Sequence, residues 1–228
     1  ILSGTNNTIQ GNYIGTNSDG DAAVPNLDGI LIDDSNNVVG GTTSGAGNLI
    51  SGNSVRGILI ASGSNNIIQG NNIGTNSSGD AALPNPIGVI IRDSNNVIGG
   101  TTSGAGNLIS GNSDTNLSLE DDAGGTIVQG NFIGTDAMGL NALSSNPGNG
   151  IEFTNSISTT TPIIIGGSET GRNIISGNNI GISILGENHN ISYNYIGLNA
   201  SGDTSLPNQK GVRATGDLSG TEIHHNTI

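Results

Sequence analysis

No cysteine occurs among the 228 residues, which excludes a disulfide framework, thiol chemistry and any Cys-based metal site. Lys and Arg number only five (Arg56, Arg92, Arg172, Lys210 and Arg213) against 18 Asp and Glu, a formal charge of −13. That balance argues against nucleic acid and anionic membrane surfaces as partners, since both are bound through clustered cations. Aromatic residues make up 2% of the chain and Trp is absent. A core must therefore be built from small aliphatics. No apolar run approaches the roughly 20 residues of a membrane helix, and no segment sustains a 3.6-residue period, so helix content should be near zero. An initiator Met, a signal peptide and a sorting tail are not seen, and Ile1 and Ile228 both fall in mid-motif. A piece of a longer polypeptide is the expectation.

The chain does contain 39 Gly and a recurring asparagine followed two residues later by isoleucine. The members begin at Asn12, Asn48, Asn71, Asn107, Asn131, Asn173, Asn194 and Asn226, at gaps of 36, 23, 36, 24, 42, 21 and 32 residues. A feature that survives such uneven spacing is held in register by stacking, with loops absorbing the difference. Upstream of each asparagine lies an aliphatic (Ile9, Val39, Ile68, Ile98, Val128, Ile165, Ile191, Ile223), and further upstream a strand such as Gly29-Ile-Leu-Ile32 or Gly57-Ile-Leu-Ile60. Alternation with period two marks these as strands. Three short strands in about thirty residues describe one coil of a parallel β-solenoid. The expectation is a single all-β domain over 1–228, with eight coils starting near 1, 29, 57, 88, 116, 150, 181 and 211, the first and last truncated. The asparagines should form a ladder at an inward bend, amide bonded to amide, in a backbone that Asn tolerates when left-handed.

Two loop types alternate between coils. The six-residue loop Thr42-Thr-Ser-Gly-Ala-Gly47 and its duplicate at 101–106 follow the second strand. Asn17–Asn26, Asn76–Asn85 and Asn199–Asn208 follow the third. The sequence period is thus two coils, close to 60 residues, and its main disturbance is coil 116–149, where Asn116 replaces the first-strand Gly. The pattern Gly-Ile-x-Ile…Asn-x-Ile-x-Gly-Asn-x-Ile-Gly-Thr resembles the parallel β-helix repeats of the pectin-lyase-like right-handed β-helix superfamily, and is especially similar to repeats of large secreted or surface-anchored bacterial proteins. The resemblance covers essentially the whole chain. It implies a right-handed, single-stranded parallel β-helix, and a family in which lyases, hydrolases, epimerases and adhesive stalks share one fold.

Carbohydrate-active members of that superfamily work along the outer face of the first strand. Here that column reads Leu31, Leu59, Ile90, Ser118, Glu152, Ser183 and Arg213, without the several cations that an acidic sugar would need. The turn after the first strand carries Asp33, Asp34, Arg92, Asp93, Glu120, Asp121 and Asp122. Such a cluster reads as solubilising charge, as a Ca²⁺ site or as paired carboxylates for acid–base work. Asp19-Gly-Asp21 has the look of a Ca²⁺ loop, yet its counterparts keep only the Gly, which suits a turn. His224 and His225 stand where other coils have Gln-Gly, and a paired imidazole is a metal ligand in principle. Leu31, Leu59 and Ile90 form an outward aliphatic stripe, either covered by loops or contacting a partner chain.

The resulting expectation is a non-catalytic extracellular scaffold of a bacterial surface protein, a stalk, adhesive or filament-forming segment, without catalytic residues or a required cofactor. The alternative is a polysaccharide-binding or polysaccharide-degrading module of the same fold. Self-association end to end or laterally is expected wherever strand edges are left unpaired.

Overall fold

The computed structural model describes residues 4–143, 147–154, 157–158 and 161–228. Three parallel sheets run along the molecule, one for each strand of a coil. The first contains Asp28–Ile32, Arg56–Ile60, Ile87–Ile91, Thr115–Leu119, Asn149–Phe153, Ile180–Glu187 and Lys210–Thr215. The second runs from Thr8–Ile9 to Glu222–His224, and the third from Tyr13–Ile14 to Tyr195–Ile196. Among the described residues every pairing between strands is parallel and joins neighbouring coils, as in Ile30↔Ile58, Val39↔Ile68 and Ile50↔Ile73, while single antiparallel bridges such as Thr16↔Ala23 lie within the long loops. The only helix among the described residues is one 3-10 turn, Glu169–Gly171.

The turns number seven, one fewer than the eight coils expected. Residues 4–27 supply strands to the second and third sheets only, and residues 210–228 to the first and second apart from a single bridge, Tyr195↔Thr227. The two partial coils together make about one turn.

Why the chain coils follows from its aliphatic columns. Ile, Leu and Val at equivalent positions stack into continuous ridges, so each core side chain meets its like above and below. Ile32, Ile58, Ile60, Ile68, Ile73, Ile91, Ile98, Ile109 and Ile133 are fully buried. The interior is so narrow that 32% apolar residues suffice to fill it.

Polar side chains close the corners. The asparagine column is an unbroken ladder from Asn12 to Asn226. Asn107 Oδ1, for example, accepts the main-chain amide and the side-chain amide of Asn71, both at 3.0 Å, while its Nδ2 donates to Asn131 Oδ1 and to the Ile68 carbonyl. Its backbone is not left-handed, contrary to expectation. In five coils that conformation falls on the preceding residue, Gly11, Gly70, Gly130, Tyr193 or His225, and before Asn48, Asn107 and Asn173 it does not occur.

Candidate functional site

Two more ladders lie at the other corners. One joins Asn7, Asn37, Asn66 and Asn96 between the first and second sheets. The other joins Asn26, Asn53, Asn85 and Asn112, and resumes with Asn178 and Asn208 between the third and first sheets. Both have a break, and the breaks are the natural places to look for chemistry.

The second of these ladders should continue at residue 147, two positions before the Asn149 that pairs with Thr115, but this residue is Pro. Asn116 fills the vacancy. In other coils its place is Gly, and a Cβ there would lie against the ladder: 3.0 Å from Asn53 Nδ2 at Gly29 and 2.7 Å from Asn112 Nδ2 at Gly88. A side chain at 116 therefore points straight at the gap. Asn116 Oδ1 accepts from Asn112 Nδ2 at 2.9 Å, and its own Nδ2 donates to Asn178 Oδ1 at 3.0 Å. The departure at coil 116–149 thus restores a hydrogen-bond chain.

The long loop of the same coil shows a second compensation. Asn17, Asn76 and Asn199 each donate to an Asp four residues on, Asp21, Asp80 and Asp203, and accept the amides that close the loop. In coil 116–149 the partners are exchanged: Asp136 accepts from Asn141 Nδ2 at 2.7 Å and from the amides of Met138 and Leu140. Partial burial works against the Asp136 charge, but donors from Asn141, Leu140 and Met138 outweigh it and hold the carboxyl below its usual pKa. Asp21 is therefore a loop-closing acceptor, as its turn character suggested.

These long loops stack on one another although two coils separate them. Ser77 donates its amide to the Gly20 carbonyl, Ala137 to Gly79 and Ala200 to Gly139, at 2.8–2.9 Å. Each loop spans the height of two coils, roughly 9.6 Å at the parallel-strand spacing. A long loop in every coil would collide with its neighbour, which explains the two-coil period. Together with the 42–47 and 101–106 loops they wall the third sheet. The resulting groove, of about 470 Å³, is lined by Tyr13, Thr42, Ser44, Asn48, Asn72 and Ser77 among others, and no charged side chain lines it. Tyr13 is half exposed there.

Within the charged turn cluster Arg92, Glu120 and Asp121 come together, while Asp34 and Asp93 are engaged separately. Asp34 accepts the Gly4 amide and Asp93 the Gly63 amide, both at 2.7 Å, so these carboxylates tie neighbouring coils together. Arg92 pairs with Glu120 at 2.9 Å and lies 3.9 Å from Asp121, Asp33 accepts the Ser62 hydroxyl through its carbonyl, and Asp122 is exposed. Among the described residues no group of three or more His, Cys, Asp or Glu side chains is gathered where it could hold a metal ion. The first-sheet column pairs as expected, Leu31↔Leu59↔Ile90↔Ser118↔Glu152↔Ser183↔Arg213. Leu59 and Ile90 lie outside the core cluster yet are 4% and 3% exposed, and only Leu31 is half-buried, so the stripe is mostly covered. Further along, Glu152 accepts from Thr115 and Asn149, and Arg213 lies 3.9 Å from it while donating to Ser183.

The ladder beginning at Asn7 stops at Asn96, and its column continues as Thr126, Ile163, His189 and Thr221. The Thr126 hydroxyl and both nitrogens of His189 are buried without a hydrogen-bond partner. His189 is 1% exposed and packs on Phe153, ring centroids 4.8 Å apart. Burial depresses its pKa. The Leu185 carbonyl opposes this only weakly, because it makes no hydrogen bond of good geometry with the ring. The unfolded chain then binds the proton more readily than the native one, so stability is complete above about pH 6.5 and declines as pH falls below it. Thermal melts between pH 7.5 and 5 should show this loss, at most ~1.4 kcal/mol per pH unit. His189→Asn should abolish that slope; an unchanged slope would place its origin elsewhere.

Among the described residues no helix is long and apolar enough to cross a membrane. No family model matches the sequence, and no curated protein matches it. The fold resembles the crystal structure of pectate lyase Pel9A at 14% identity and a TM-score of 0.40, over 89% of this chain and 51% of that one. The chain therefore spans about half the length of that lyase. The molecule is a three-sheet parallel β-helix, as the resemblance of its repeats to the pectin-lyase-like superfamily implied.

Proposed function

We propose that the protein is a non-catalytic β-helix scaffold acting outside the cell, as a stalk, adhesive or filament-forming segment of a bacterial surface protein. The observation that carries this reading is the repair at coil 116–149. A catalytic site breaks a repeat in order to gather reactive groups, whereas Asn116 and the exchanged pair Asp136–Asn141 put back the bonds the repeat had lost. The charged groups of the first-sheet face agree with it, since Arg92, Glu120, Glu152 and Arg213 are engaged with one another or with neighbouring hydroxyls. An acidic, cysteine-free surface suits an extracellular rod. Incubation with a panel of neutral and uronic-acid polysaccharides should yield no new unsaturated or reducing ends. Turnover of any of them overturns the proposal.

One observation favours a second reading, glycan binding without turnover. The uncharged groove over the third sheet offers a half-exposed Tyr13 ring for stacking and several hydroxyl and amide groups for sugar hydroxyls. Affinity electrophoresis in gels cast with neutral glycans would register it as retardation lost in Tyr13→Ala.

A further inference from the structure

We propose that His224 and His225 form a transition-metal site that takes Cu²⁺ in preference to Zn²⁺. Their Nδ1 atoms lie 2.6 Å apart. In an extended strand, consecutive side chains leave on opposite faces. His225 has a φ of +55°, and this left-handed turn swings its ring back beside His224. The same place is Gly11, Gly70 and Gly130 in other coils, where positive φ carries no side-chain penalty. The neighbouring coil places Tyr193 there, also left-handed at φ +63°, so the turn is shared by the last two coils. In it the two Nδ1 atoms come within hydrogen-bond distance of each other.

Both rings are held by neighbours. His225 stacks on Tyr193 at a centroid distance of 4.9 Å and an angle of 4°. The Glu222 carboxylate lies 3.7 Å from His224 Nε2, on the side of the ring away from the converging pair. In the neutral pair one Nδ1–H donates to the other Nδ1; to bind a cation at both atoms, that ring passes its proton through solvent to its own Nε2, so both rings stay neutral.

Ligand chemistry selects the ion. Metal–nitrogen bonds of about 2.0–2.1 Å need the two donors about 2.9–3.3 Å apart, so the Nδ1 atoms part by a few tenths of an ångström on binding. Imidazole nitrogens bind Cu²⁺ more tightly than Zn²⁺ in the usual order of divalent metals. Water completes the coordination sphere. Hard cations such as Ca²⁺ take oxygen ligands and gain nothing from the pair.

The test uses the chain's own alternative sequence. H224Q/H225G recreates the Gln-Gly of Gln10-Gly11, Gln69-Gly70 and Gln129-Gly130, so the variant should fold and melt no lower than wild type without metal. Background is low, because Cys is absent and the third histidine, His189, is buried. Calorimetric titration with Cu²⁺ should give one ion per chain with micromolar or tighter affinity. The electron paramagnetic resonance spectrum should be tetragonal with nitrogen coupling, and Zn²⁺ should bind at least tenfold more weakly. The double variant should lose at least tenfold in Cu²⁺ affinity along with the nitrogen coupling, and the single variant H224Q reports the same loss if the double one misfolds. Equal Cu²⁺ binding by the variants, Zn²⁺ binding as tight as Cu²⁺, or a wild-type spectrum without nitrogen coupling overturns the proposal.

Discussion

Asn107→Ala should cost about 3–5 kcal/mol of stability, the largest effect of any single polar substitution considered. Asn107 is fully buried, and its amide serves two neighbouring coils at once. Truncation removes the acceptor of the Asn71 main-chain amide and side chain, and the donor to the Ile68 carbonyl and Asn131 Oδ1. Asn71 Nδ2 keeps other acceptors in Val39 and Gln69, and Asn131 Oδ1 keeps the Asn107 main-chain amide. The Asn71 N–H does not have such a reserve. Each buried group stripped of its partner costs about 1–3 kcal/mol, and low local dielectric makes a half-satisfied chain worse than none. At roughly 2–4 °C per kcal/mol for a chain of this size, the melting midpoint should fall by about 10–15 °C. Asn12→Ala, at the exposed end of the same ladder, should cost less than about 1 kcal/mol. Comparable midpoints for the two variants in denaturation experiments would show that the interior ladder carries no special weight.

That ladder was legible because each asparagine sits a constant two residues before an isoleucine that fills the core. The ladder from Asn7 to Asn96 has an equally fixed offset, two residues before Ile9, Val39, Ile68 and Ile98, whereas the ladder through Asn26 does not. Asn26, Asn85 and Asn208 stand three residues before the first-strand Gly, whereas Asn53 stands four before it, so no fixed offset reveals the column. Only the strand register aligns them. The groove over the third sheet was hidden for a related reason: its walls depend on loops touching across two coils, a contact between residues about 60 apart. The superfamily resemblance points to the first sheet instead. His224 and His225 were visible as a pair, but their convergence depends on a left-handed residue that strand alternation does not anticipate.

Asn116 shows the limit most clearly. In an alignment of repeats it is a lost glycine, and a lost glycine beside Glu120, Asp121 and Asp122 looks like the start of a specific site. In space it is an amide placed between Asn112 and Asn178, where Pro147 has removed the ladder's own member. Asn116→Gly should therefore cost about 2–3 kcal/mol: Asn178 Oδ1 loses its donor and Asn112 Nδ2 its best acceptor, leaving weaker contacts to Ile73 and Ser110. Pro147→Asn alone should not stabilise the protein, because two amides would compete for one slot. Combined, the substitutions recreate the Gly and Asn of the other coils.

The most direct measurement is thus a double-mutant cycle on residues 116 and 147, read as thermal and denaturant midpoints of four proteins. If the disturbed coil is a structural repair, N116G/P147N should recover most of the stability lost in N116G, with a coupling of about 2 kcal/mol in its favour. Additive losses would contradict it, and would return coil 116–149 to consideration as a site kept for its chemistry.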